Sequence, residues 1–187
     1  MMHRGLRYAL FLLLLIDDVL LPAQPSPEVG GSLYDSYPVP PETSRLLFYI
    51  QRDKNTNTIA YEAVLDAHGK LAASDPVHVH WWRFAEDGQS EELSSIESRF
   101  AYGVKHRGTT EGRASMGFVA TNKYGFTVTV LPNGQAIALM RIDGKVARLR
   151  TIRVQANDHS WWPKIRYVDI IGSDVTTGAP VTERYIP

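Results

Sequence analysis

Residues 126–155 read FTVTVLPNGQAIALMRIDGKVARLRTIRVQ, and this stretch decides the fold. Phe126–Leu131 alternates apolar residues with threonines, the two-residue period of a half-buried strand. Asn133-Gly134 and Asp143-Gly144 then interrupt the pattern, and both pairs accept the positive φ of a type I′ turn. The runs at 126–131, 135–142 and 145–155 are therefore expected to chain into a three-stranded meander.

Outward from this centre the same grammar repeats. Leu46–Arg52 ends at Asp53-Lys54-Asn55-Thr56-Asn57, and Thr58–Leu65 ends at Asp66-Ala67-His68-Gly69. Val77–Phe84 is bounded by Pro76 and by Glu86-Asp87-Gly88. Further runs are Phe100–Lys105, Ser115–Thr121, Lys164–Ile171 and Pro180–Tyr185. One segment, Ser90–Ser98, reads as a helix, with Leu93, Ile96 and Phe100 on one side and Ser94/Glu97 placed for a capping box. At about two turns it is too short for a helical layer and is expected to strap a sheet end. The expectation is an all-β domain over residues 44–187, an antiparallel β-sandwich or small barrel of about 9–10 short strands with one short helix.

Composition narrows the function classes. The 187 residues carry 20 Lys+Arg against 20 Asp+Glu, and 44% are hydrophobic, enough for a sizeable core. A neutral chain is not a nucleic-acid binder held mainly by phosphate contacts, nor a charged disordered one. The absence of cysteine excludes a disulfide framework, thiolate zinc, iron–sulfur clusters and a thiol nucleophile.

The first residues form a separate unit. His3, Arg4 and Arg7 precede an apolar run from Tyr8 to Ile16, which Asp17 and Asp18 stop. A basic lead and an apolar stretch about half the length of a membrane span make residues 1–23 an expected cleaved signal peptide, leaving no transmembrane anchor. Export without cysteine points to the periplasm or cell surface of a bacterium. Residues 24–43, which hold Pro25, Pro27, Pro38, Pro40 and Pro41, are expected to be a disordered linker.

Three constellations could carry chemistry. In His78-Val79-His80-Trp81-Trp82 a strand period places both histidines and Trp82 on one face. Imidazoles at i and i+2 can share a Zn²⁺ or Cu²⁺ ion if His106, His159, Glu86 or Asp87 supplies a third ligand, and otherwise are an ordinary hydrogen-bonded pair. The four tryptophans fall in two doublets, Trp81-Trp82 and Trp161-Trp162, so one ring of each could be core and the other a ligand platform. Arg148 and Arg150 share a strand face, competent to clamp a phosphate or carboxylate and equally at home as a solvated face. Serine, Walker, zincin and EF-hand signatures are missing, and no cofactor is implied.

Several of these segments resemble a known family when read in order. Leu47-Phe48-Tyr49-Ile50-Gln51-Arg52 with Asn55-x-Asn57-Thr58-x-x-Tyr61 looks like its opening strand pair. Pro76-Val77, Trp81-x-Arg83-x-x-Glu86-Asp87-Gly88, Glu92-Leu93 and Phe100-Ala101-Tyr102-Gly103-Val104 look like its central segment. Trp162-Pro163-Lys164, Tyr167, Gly172, Thr177-Gly178 and Pro180-Val181 look like its close. The chain is similar to the bacterial domain of unknown function 4833 family over about residues 44–187. The resemblance implies an exported single-domain protein and brings no catalytic residues with it.

The sequence is thus read as an exported, non-enzymatic β domain that binds an apolar or glycan ligand through Trp82, Trp162, Tyr167, Arg148 and Arg150. Two alternatives stand beside it. One is a metal-dependent or hydrolytic enzyme centred on His78 and His80 with His159; the other is an assembly subunit that pairs through an exposed strand edge.

Overall fold

A computed structural model describes residues 33–157 and 164–187. A 3-10 turn, Leu33–Ser36, precedes β1 (Leu46–Arg52), β2 (Asn55–Ala63), β3 (Val77–Trp82) and β4 (Ser90–Glu92). Next come α1 (Ser95–Phe100), β5 (Val104–Thr110), β6 (Arg113–Phe118), β7 (Gly125–Val130) and β8 (Ala136–Ile142). The chain closes with β9 (Lys145–Asn157), β10 (Lys164–Asp174) and β11 (Pro180–Tyr185).

All eleven strands belong to one sheet, a curled and open half-barrel. Its main path runs β4-β3-β2-β1-β9-β8-β7-β6-β5, with β10 on β9 and β11 on β10. The long strand β9 joins everything. Its first residues pair with β8 (Ile142↔Lys145 to Leu139↔Arg148) and its later ones with β1 (Tyr49↔Thr151 to Arg52↔Val154). The β9–β10 ladder extends from Ala147↔Asp174 to Asn157↔Lys164.

The meander of 126–155 is present as β7-β8-β9, but its two turns differ. Asp143 and Gly144 both take positive φ, 48° and 74°, as a type I′ turn requires. Gly134 has φ 82° while Asn133 stays negative. Pro132 presets the first turn position, the Gly134 N–H donates to the Leu131 carbonyl at 2.9 Å, and the loop is a type I turn closed by a left-handed glycine. A further two-residue turn, Glu111-Gly112 (φ 51° and 73°), joins β5 to β6, so the β5 run extends beyond Lys105.

Two expectations change. The sheet is mixed, because β1 and β9 run parallel. A parallel pair needs a long crossover, and here seven intervening strands supply it, which no local pattern announces. Residues 90–92 form a strand on β3, and the helix starts at Ser95. The Ser94/Glu97 capping box is there, with the Ser94 N–H donating to Glu97 at 2.9 Å, but Ile96 and Phe100 are 73% and 69% exposed, so α1 buries no apolar stripe. Ordered contacts also reach upstream of Ser44. Tyr34 is buried and its hydroxyl donates to the Val154 carbonyl at 2.8 Å, while buried Gln51 donates to the Pro38 carbonyl.

The core sits between the arms that meet on β9. Phe48 on β1 stacks on Tyr61 of β2 with centroids 4.3 Å apart, and both meet Phe118 of β6 edge-on. Phe126 of β7 completes the group 5.1 Å from Phe48 and from Phe118. Aromatic pairs of this kind contribute about 0.5–1.5 kcal/mol each beyond their area.

Candidate functional site

The concave side of the curl is not filled. A cavity of about 520 Å³ remains there, within the range of about 300–1,000 Å³ typical of small-ligand sites. Its floor follows from strand alternation: Ile152, Val154 and Ala156 occupy every second position of β9, and Val168 and Ile170 do the same on β10. Ile50 of β1 and Met140 of β8 extend the apolar surface. Phe100 at the end of α1, Tyr102 and Tyr124 from loops and Tyr185 from the end of β11 reach it as well.

Polar groups are few and fixed. Tyr61 is fully buried, its hydroxyl donates to the Tyr102 carbonyl at 2.6 Å, and burial pushes its phenol well above the ordinary range. The Tyr124 hydroxyl donates to Glu183 at 2.8 Å; burial first, then that carboxylate, pushes it up to about 12. Tyr185 packs edge-on to Tyr124 at 5.6 Å, beneath the Lys123 ammonium at 4.2 Å. Among the described lining residues Arg52 is the one charged side chain, and no imidazole or carboxylate side chain takes part. The lining is therefore apolar with a few phenols and one cation.

The histidine strand lies on the other face of the sheet. His78 and His80 stack at 5.0 Å, His80 meets Trp82 at 6.1 Å, and Trp82 stacks on Phe84 at 5.8 Å. Trp81 points inward and packs edge-on to Tyr102, as alternation requires. His78 Nε2 lies 2.9 Å from Glu92, and buried His80 contacts Ser90 Oγ through Nδ1 at 2.7 Å. Glu62 stands 3.9 Å from His80 Nε2, an electrostatic contact rather than a hydrogen bond. Glu62 raises the His80 pKa against the opposing effect of burial, and His80 in turn lowers that of Glu62. Each imidazole thus has its own carboxylate, and among the described residues no three His, Asp or Glu gather with metal-binding geometry. His106 is elsewhere, bonded to Thr109 at 2.9 Å, and Glu86 pairs with Arg83.

The remaining candidates are dispersed. Arg148 and Arg150 share the outward face of β9; burial lowers the Arg148 pKa, and its Nε finds no partner. Tyr167 lies under the Arg184 guanidinium at 3.9 Å, beside the Arg184–Asp169 ion pair. Trp161, Trp162 and His159 fall outside the described residues. Trp82, Tyr167, Arg148 and Arg150 are not brought together, and none of them lines the cavity. Tyr102, Tyr124 and Tyr185, which do line it, have no periodic signature in the sequence, because they stand at a strand end or in loops. The available signal was the unbroken alternation of Ile152, Val154 and Ala156.

A family model described as Domain of unknown function (DUF4833) matches residues 48–184, from β1 into β11. Neither the curated proteins nor the solved structures hold a match.

Proposed function

We propose that this chain, which belongs to the DUF4833 family, is an exported binding module that takes an apolar ligand into the concave face of its half-barrel. The observation that carries the reading is the 520 Å³ cavity with an apolar floor and a single lining cation. The lining favours an alkyl or other apolar body over a glycan, which would leave its hydroxyls unpaired against Ile152, Val154 and Ile170. The export part of the proposal rests on the basic, apolar and acidic-stopped order of residues 1–23.

A series of fatty acids from octanoate upward, followed by calorimetry, tests this. Each added methylene that leaves water contributes about 0.8 kcal/mol, so affinity should rise about fourfold per methylene until the cavity is full and then level off. Val154→Trp, checked for a native circular dichroism spectrum, should abolish the series. Chain-length-independent affinity, or unchanged binding by folded Val154→Trp, would overturn the reading.

A further inference from the structure

The outward face of β5 to β8 carries a second groove, of about 370 Å³, with Arg107, Arg113 and Arg141 in its wall and no acidic residue. It is a different surface from the cavity. Ser115 and Thr127, which line it, alternate with the core residues Ala114, Met116, Phe126 and Val128. Ser115, Thr127, Leu139 and Arg148 form one cross-strand row on this face.

The groove is shaped around one arginine. Gly117 and Gly125 lie directly opposite each other on β6 and β7. A Cβ at Gly117 would come within 2.4 Å of Arg107 Nη2, so the guanidinium occupies the space a side chain there would fill; at Gly125 the nearest obstacle is the Met116 carbonyl oxygen at 2.7 Å, with Arg107 Nη1 in ordinary contact at 3.5 Å. Glycine weakens a strand unless something else uses the room, and here Arg107 does. Arg141 is oriented as well, since its Nη1 donates to the Gly144 carbonyl at 2.7 Å. Among the described residues none of the three arginines has a carboxylate partner, although acids and bases are equal in number over the whole chain.

We propose that this groove binds a phosphate group. A carboxylate presents two oxygens in one plane, whereas a tetrahedral phosphate directs its oxygens in several directions and can accept from more than one guanidinium group and from the Ser115 and Thr127 hydroxyls at once. Arg107 and Arg141 are held before the ligand arrives, which removes part of the ordering cost of binding. The same chemistry serves a free phosphate, a soluble phosphoester or a lipid headgroup.

Calorimetry of the full-length chain with inorganic phosphate, and co-sedimentation with phosphatidylglycerol against phosphatidylcholine vesicles, test the site and separate the sources. Saturable binding in either arm should weaken at least tenfold in Arg107→Gln and in Arg141→Gln, and stay unchanged in the distant Lys70→Gln. Gly117→Ala keeps every charge but lifts Arg107 from its seat, and should weaken binding several-fold with the melting temperature preserved. Phosphate binding without vesicle binding assigns a soluble ligand; vesicle binding lost in the same variants assigns a headgroup. No binding in either arm, or binding that Arg107→Gln, Arg141→Gln or Gly117→Ala leaves intact, overturns the proposal.

Discussion

The Tyr61 hydroxyl donates to the Tyr102 carbonyl at 2.6 Å, tying the middle of β2 to the segment that follows α1 across 41 residues of chain. Both residues line the apolar cavity, so this bond fixes two parts of its wall to each other. Helix α1 buries nothing of its own, and the Tyr61–Tyr102 bond is therefore a main anchor for that corner.

Tyr61→Phe should expose that dependence. The phenyl ring keeps its stack on Phe48, so packing is retained and only the donor is lost. The half-buried Tyr102 carbonyl then lacks its partner, at a cost of about 1–2 kcal/mol in a denaturant melt. Fatty-acid affinity should fall with it; a variant as stable as the parent would show that the bond contributes nothing.

The Glu62–His80 pair predicts a particular pH profile. Glu62 has its folded pKa lowered, so its contribution is present above the ordinary value of 4.5 and is lost as pH falls through the folded one. His80 has its folded pKa raised, so its contribution is complete below 6.5 and is lost as pH rises through the folded one. The stability difference between the parent and Glu62→Gln should accordingly be largest between pH 4.5 and 6.5 and shrink toward pH 8.5. Melting temperatures across that range decide it, and a constant difference would mean the two groups are uncoupled.

Gly172→Ala should be far more damaging than Gly117→Ala. A Cβ at Gly172 would meet the Arg148 carbonyl oxygen at 2.5 Å and Ile142 Cδ1 at 2.8 Å, where β10 shifts register against β9. The obstacle is ladder backbone, which cannot move without breaking pairing, and overpacking of this kind costs about 1–3 kcal/mol or more. At Gly117 the obstacle is the free end of Arg107, so thermal stability should barely change. Equal melting temperatures for the two variants would contradict the geometry.

Asp53→Ala should loosen the parallel seam. Buried Asp53 accepts the Ala156 N–H at 2.8 Å and the Gln155 side-chain amide, where β1 ends against β9. Hydrogen bonds to a charged acceptor are worth about 1.5–3 kcal/mol, so the loss should be large and should speed amide exchange around residues 154–156. Unchanged exchange there would assign the seam to other contacts.

How much of this was legible depended on range. The Asp143-Gly144 hairpin, the Ser94/Glu97 capping box and the His78/His80/Trp82 face follow from residues within a few positions of one another, and all three are present. The parallel β1–β9 pairing, the Glu62 and Ser90 neighbours of His80, and the seat of Arg107 join residues from separate strands. Strand alternation states which face a side chain takes; it is silent on which strand lies alongside.

The sequence by itself determined a mostly β chain, neutral and cysteine-free, with its central hairpin, its family resemblance and the faces of its histidines and arginines. Only the tertiary structure decided that the sheet is mixed and curls on β9, that an apolar cavity opens on its concave side, and that Arg107, Arg113 and Arg141 share one groove. The physical reason is the reach of the forces involved. Turn dihedrals and side-chain alternation are settled by neighbours in the chain, whereas sheet order, curvature and the spaces left between arms depend on distant strands competing for the same ladder and the same core.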